Sequence, residues 1–278
     1  MPDWLSGFLA DFFSGDCIDI ANTIWKTTMS LIGGLLGTPP QDFSPDAWNF
    51  VERTLYPWSL SIGVSLLNLF FLIAICRAVS DLHHNITLEM IIEAFIKIVV
   101  ANVVFLNLFL LMRLVLSIAS AMVGEIFTTQ TPELIVENWD AGATLFYAVF
   151  GSLFILVAIV CSYLMLLTVY GRYIKIYHLM VLAPFALPAF IGGRETGQTF
   201  YAWLKTFLLN TFVIVAIALT MAISFKITQA GVSIFDGSSL AGQAFDGFWD
   251  ALNALFTMIL MTASVKGVNS LLAKAFAL

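Results

Sequence analysis

The sequence predicts an all-α integral membrane protein with five transmembrane helices, and three observations carry that reading. Of 278 residues, 60% are hydrophobic and only 11% are charged, whereas about a quarter of a soluble domain is charged. Mean hydropathy is +0.95. Four apolar stretches reach the roughly 20 residues that a helix needs to cross the hydrocarbon core: Trp58 to Cys76, Ile98 to Val123, Ala143 to Val169 and Phe207 to Phe225. A fifth, Phe248 to Val265, stays apolar until Lys266 stops it.

The remaining elements follow in chain order. Residues 1–57 read as an extracytoplasmic or interfacial region, and 58–278 as the polytopic membrane domain. The start, Met1-Pro2-Asp3-Trp4, has neither a positive region nor a small-residue cleavage site, so no removable signal peptide is expected. Trp4, Leu5, Phe8, Leu9, Phe12 and Phe13 recur at helical spacing. They predict an N-terminal amphipathic helix, either lying in the outer interface or packed against the bundle. Ile18–Leu36 contains Lys26 and Gly33-Gly34 and ends at Thr38-Pro39-Pro40, a strong stop. If it crosses, the count rises to six and the acidic start moves inside.

Segment 170–205 breaks the pattern. After Arg172 and Lys175, the apolar run His178 to Ile191 holds Pro184 and Pro188. Its fourteen residues make about 21 Å of helix, too short to cross, and proline breaks a helix interior. A re-entrant or interfacial elbow on the cytoplasmic side is expected. Lys and Arg concentrate in cytoplasmic loops, which sets the sidedness. With the N-terminus outside and the C-terminus inside, regions 77–97, 170–205 and 266–278 hold eight positives against four acids. Regions 1–57, 113–142 and 226–250 hold four positives against fourteen acids. The net charge of −6 thus divides into −10 outside and +4 inside.

Signals for chemistry are sparse. Cys17, Cys76 and Cys161 form no metal spacing, and their odd number excludes a fully paired intramolecular disulfide set. Adjacent His83-His84 point about 100° apart on a helix, unlike the i,i+4 pair of a zinc helix. No glycine-rich phosphate loop and no GxSxG occurs, so no enzyme activity, cofactor or metal is expected. Within the second span, Asn102 and Arg113 are eleven residues apart and about 20° from each other around the helix, while Asn107 lies on the opposite face. These three are candidate helix–helix or subunit contacts; the asparagines can equally hydrogen-bond within one bundle.

The run Arg172-Tyr173-Ile174-Lys175-Ile176-Tyr177-His178-Leu179 through Ala183-Pro184-Phe185-Ala186, followed by Gly197-Gln198-Thr199-Phe200 and Trp203-Leu204-Lys205, resembles the TrbL family of conjugal-transfer membrane proteins. The counterpart of that family in the tumour-plasmid system is the sixth VirB protein. The likeness covers about 60 residues. It implies a multi-pass subunit of the bacterial cytoplasmic (inner) membrane in a type IV secretion apparatus. Such a subunit assembles as a homo-oligomeric ring under a pilus or stalk. Its partners are the bitopic scaffold, the pilin, the stalk protein and the ATPases, and it passes a single-stranded DNA–relaxase substrate.

In that setting Arg172, Lys175, Arg194 and Lys205 are candidate substrate-facing cations on the cytoplasmic side, able to attract a polyanion independently of its sequence. They can equally be ordinary topology determinants. Trp139, Phe235, Phe245 and Trp249 are candidates for outer docking, or else aromatic interface anchors. Two rival functions stand beside this one: a small-molecule secondary transporter, disfavoured because only one proline-broken segment is found, and a membrane scaffold with no conduit.

Overall fold

The structure, a computed structural model, describes residues 16–80, 88–126, 141–190, 197–229 and 246–275. The expected amphipathic helix over Trp4–Phe13 lies outside them, as do His83 and His84. Among the described residues only Thr38, Pro39 and Ser44 are not helical. The order is α1 (Asp16–Gly37), α2 (Pro40–Phe43), α3 (Pro45–Phe50), a π-helical turn (Val51–Leu55), α4 (Tyr56–Ser80), α5 (Leu88–Ile126), α6 (Ala141–Ala186), a 3-10 turn (Leu187–Phe190), α7 (Gly197–Gln229) and α8 (Asp246–Ala275).

Five segments are long and apolar enough to cross a membrane: Pro45–Ile73, Asn102–Ile126, Val149–Phe190, Gly197–Ile227 and Phe248–Ala275. Each overlaps one predicted span, and the protein is a multi-pass α-helical membrane protein. α1 is not among the five. Hydrocarbon offers no hydrogen-bond partners, so polar side chains in such helices must be satisfied by protein. Here many fold back onto their own helix. Ser65 donates to Ser61 O, Ser117 to Leu114 O, Thr168 to Leu164 O, Thr220 to Ala216 O and Thr262 to Met258 O, at 2.7–3.2 Å.

The first of these segments begins at Pro45, well before the predicted Trp58. Pro45 opens α3 at a position where no backbone N–H is needed. Pro57 would disrupt a regular helix, and the π turn just before it absorbs the defect: Tyr56 N–H bonds to Val51 O, five residues back.

The chain forms two compact units. One comprises the described residues of Met1–Gly37, Met122–Tyr170 and Ile214–Leu271. In it α1 buries Ala21, Trp25, Met29, Ile32 and Leu36, a stripe stepping by three or four that makes a single packing face. The facing supply comes from similar buried stripes on α6 (Phe154, Ala158, Met165), α7 (Ile217, Met221) and α8 (Met258, Met261, Val265). The other unit comprises the described residues of Thr38–Ala121, Gly171–Val213 and Leu272–Leu278. Its core joins Trp48 and Tyr56, then Phe105, Leu108 and Met112 of α5, Ile176, Met180 and Ala183 of α6, and Trp203 and Phe207 of α7.

Two expectations need correction in this second unit. First, no elbow begins at residue 170: α6 runs unbroken for 46 residues to Ala186, about 69 Å of helix. Proline removes a hydrogen bond only at its own N–H, and Pro184 stands two residues from the helix end. The turns before it are therefore free to continue. The chain stops where Pro188 follows in the 3-10 turn. Second, the charge count puts 38–57 and 170–205 on opposite sides of the membrane. Tyr173 and Tyr177 nevertheless donate their hydroxyls to the Thr38 and Pro40 carbonyls at 2.9 and 2.7 Å. Segments separated by about 30 Å of hydrocarbon cannot meet this way, so the two lie at one depth.

Candidate functional site at the α6–α7 hairpin

The end of α6 and the start of α7 form a helical hairpin held by three kinds of contact. Deepest is Arg172, 5% exposed. Its Nε and Nη2 donate to the Asn210 carbonyl at 2.7 and 2.8 Å, and Nη2 also donates to the Thr211 carbonyl at 3.0 Å. Both acceptors sit inside α7. A guanidinium carries five N–H donors in a planar fork, which lets one side chain grip two successive carbonyls. Its Nη1 is buried with no hydrogen-bond partner, as is the Thr211 hydroxyl. Farther along, the Trp203 indole N–H donates to the Leu179 carbonyl at 2.9 Å. Near the tip Phe190 meets Phe200 edge to face at 5.5 Å, and Phe200, Trp203 and Phe207 stack in sequence along α7.

A strap over residues 38–50 crosses the hairpin. Phe43 stacks on Tyr173 with centroids 3.9 Å apart and planes parallel within 1°. Trp48 is buried between Phe109 at 5.6 Å and Tyr177 at 6.3 Å. The two tyrosines are four residues apart, hence on one face of α6. Their hydroxyls satisfy carbonyls of Thr38 and Pro40, next to two prolines that offer no N–H of their own. Gln41 Oε1 accepts from Arg113 Nε at 3.1 Å, tying the strap to α5 as well.

α4 reaches the hairpin at Gly63. A Cβ built there would lie 2.5 Å from the Pro184 carbonyl oxygen and 2.9 Å from both Pro184 Cβ and Phe105 Cζ. Helices in lipid gain little from hydrophobic exclusion and associate through close packing at small residues; Gly63 is such a point. One turn earlier, Trp58 meets Phe185 at 6.1 Å.

The sequence-predicted residues divide accordingly. Arg172 does not face an open side, as expected of a substrate-facing cation; it is an internal fastener between α6 and α7. The reason is that its side chain leaves α6 on the same face as Ile176 and Met180, which is buried. Lys175 and Lys205 are exposed, and Arg194 lies outside the described residues. Pro184 and Pro188 are buried. Asn102 and Asn107 are both exposed on α5. The Asn107 amide donates to Val103 O of its own helix at 2.8 Å, and Arg113 bonds the strap. Trp249 is half-buried at the start of α8, edge to face with Phe248. Trp139, Phe235 and Phe245 lie outside the described residues.

Sequence reasoning missed Gly63, Tyr173, Tyr177 and Trp203 as joint-forming residues. The i,i+4 tyrosine pair directly after Arg172 was a usable signal, since a buried tyrosine hydroxyl seeks an acceptor. A lone glycine inside an apolar span carries no such mark. No protein-family model, curated protein or solved structure matches the chain.

Proposed function

We propose that this chain is a polytopic subunit of a type IV secretion apparatus in the bacterial cytoplasmic membrane, serving as part of the channel or its platform in conjugative DNA transfer. The observation that carries the reading is the run from Arg172 to Lys205. In it a basic stretch follows a long span, a proline-terminated apolar helix end comes next, and a new helix opens at Gly197 and leads into the next span. This is the pattern in which the chain resembles the TrbL family. Five helices of spanning length are compatible with it.

In this reading the chain is a membrane component without enzymatic activity. It assembles as a ring of about five copies, following the preference of homo-oligomers for closed symmetry. The ring meets a bitopic scaffold, the pilin, the stalk protein and the ATPases, and a single-stranded DNA–relaxase complex passes through. Positive-inside bias supports placing 170–205 and the C-terminus in the cytoplasm. Lys175, Arg194 and Lys205 then supply about fifteen cations per ring, a sequence-independent attraction for a polyanion that weakens with salt. Arg172 takes no part in that attraction.

The test is the particle mass in mild detergent by mass photometry, joined to a mating assay. A closed oligomer, with transfer reduced several-fold by the Lys175→Gln/Lys205→Gln pair at unchanged membrane levels, is the expected result. A strict monomer that binds a small solute overturns the proposal.

A further inference from the structure

Seven exposed charged or titratable residues from four separate elements fall at one height of the strap-bearing unit: Asp42 and Asp46 in the strap, Arg53 in the π turn, Arg113 on α5, Lys175 and His178 on α6, and Lys205 on α7. The printed contacts fix the register. Gln41 bonds Arg113 and Phe43 stacks on Tyr173. Trp48 touches both Phe109 and Tyr177, and Tyr56 packs on Phe109 at 4.8 Å. Trp203 bonds Leu179. Each of the seven is within a few residues of one of these contacts. At 1.5 Å of rise per residue the set occupies a band about 10 Å tall.

Below this band along α4, and before it along α5, the exposed side chains are apolar: Trp58, Ile62, Leu69 and Leu72 on α4, and Phe95 and Leu106 on α5. Leu106 is 78% exposed. Ionised side chains are costly against acyl chains and are drawn to the headgroup layer or to water. An exposed tryptophan at the edge of an apolar zone is the usual marker of that layer; Trp58, one turn past the π turn, occupies this place.

We propose that these seven residues form one polar girdle at the phospholipid headgroup layer of a single leaflet. The strap over 38–53 and the α6–α7 hairpin around Lys175 and Lys205 therefore open to the same side of the membrane. The girdle meets phosphate and water, and the strap is a clasp lying along the interface rather than a domain on the far side. The inference rests on packing alone and stands whatever the protein's role in secretion.

The experiment is thiol accessibility. In a background lacking Cys17, Cys76 and Cys161, single variants Asp46→Cys, Arg53→Cys, Lys175→Cys and Lys205→Cys are exposed to a membrane-impermeant maleimide. Right-side-out and inverted membranes are compared, with the total thiol read in detergent. All four are expected to react at least tenfold faster in one and the same orientation. Reaction of the strap pair in one orientation and the lysine-site pair in the other overturns the girdle, as does failure of all four to react in either. A Phe43→Cys/Tyr173→Cys pair bridged by a short thiol cross-linker in intact membranes checks the register independently of labelling; absence of the bridge overturns it too.

Discussion

Replacing Gly63 by alanine is the sharpest perturbation the packing allows. The new methyl would meet the Pro184 carbonyl oxygen at 2.5 Å, Pro184 Cβ at 2.9 Å and Phe105 Cζ at 2.9 Å. Two of these atoms belong to a proline held in the last turn of α6, and neither can swing aside; only the phenyl ring can. Overpacking of this kind costs about 1–3 kcal/mol. Alanine is favoured over glycine in a helix interior by about 1 kcal/mol, which offsets part of it. The net loss is about 1–2 kcal/mol, or about 5- to 30-fold in the folding equilibrium. Two internal controls isolate the effect. Gly124 and Gly171 have nothing within 4 Å of the same built Cβ, so Gly124→Ala and Gly171→Ala should gain the propensity term alone and be neutral or slightly stabilised. Unfolding in mixed micelles by titration with a denaturing detergent, followed by circular dichroism, measures all three. Equal midpoints for Gly63→Ala and Gly171→Ala would refute the close approach of α4 to the Pro184 turn.

Other expectations follow from the hairpin. Tyr173→Phe and Tyr177→Phe each remove one hydroxyl-to-carbonyl bond, worth about 0.5–1.5 kcal/mol, and together they should loosen the strap. Limited proteolysis between Thr38 and Phe50 should accelerate several-fold in the double variant while the far-ultraviolet spectrum stays unchanged. Arg172→Met is expected to fold with a stability within about 1 kcal/mol of the parent, because it removes a buried charge whose acceptors are neutral carbonyls. A collapse in membrane accumulation would show instead that the guanidinium is indispensable to the joint. Trp203→Phe keeps the aromatic stack but leaves the Leu179 carbonyl without its indole donor, and should lower stability by about 1 kcal/mol in the same micelle titration.

What could be read from the residues, and what could not, divides along a physical line. The spans were legible because crossing a membrane demands a length and an apolar content that one stretch of chain either has or lacks. Phe207–Phe225 announces itself without reference to any other segment. The end of the elbow was legible for a similar local reason, since Pro184 and Pro188 act on their own turns. The start of the elbow was not. Charged Arg172 and Lys175 look like the end of a membrane helix, yet helical hydrogen bonding is indifferent to charge, and α6 continues past both. The first span was likewise placed too late, because a proline at position 57 reads as a stop unless the π turn that accommodates it can be foreseen. Tertiary register, which brings Gly63 to Pro184 and Thr38 to Tyr173, is a relation between distant segments and leaves no trace in either one alone.

The failure of the charge count over the strap is instructive, because the rule it applied is sound and its unit was wrong. Lys and Arg set orientation, and acids contribute little. The seven acids of residues 1–57 made that whole region look external, although they carry small weight. Counted by height, Arg53, Arg113, Arg172, Lys175 and Lys205 come together in one band, five of the chain's twelve Lys and Arg. Arg53 and Arg113 were assigned to the opposite side only because their segments were taken one at a time. An excess of this size at a single level is what the positive-inside bias describes. It makes the cytoplasmic face the expected orientation for all four maleimide sites, the strap's Asp46 and Arg53 included.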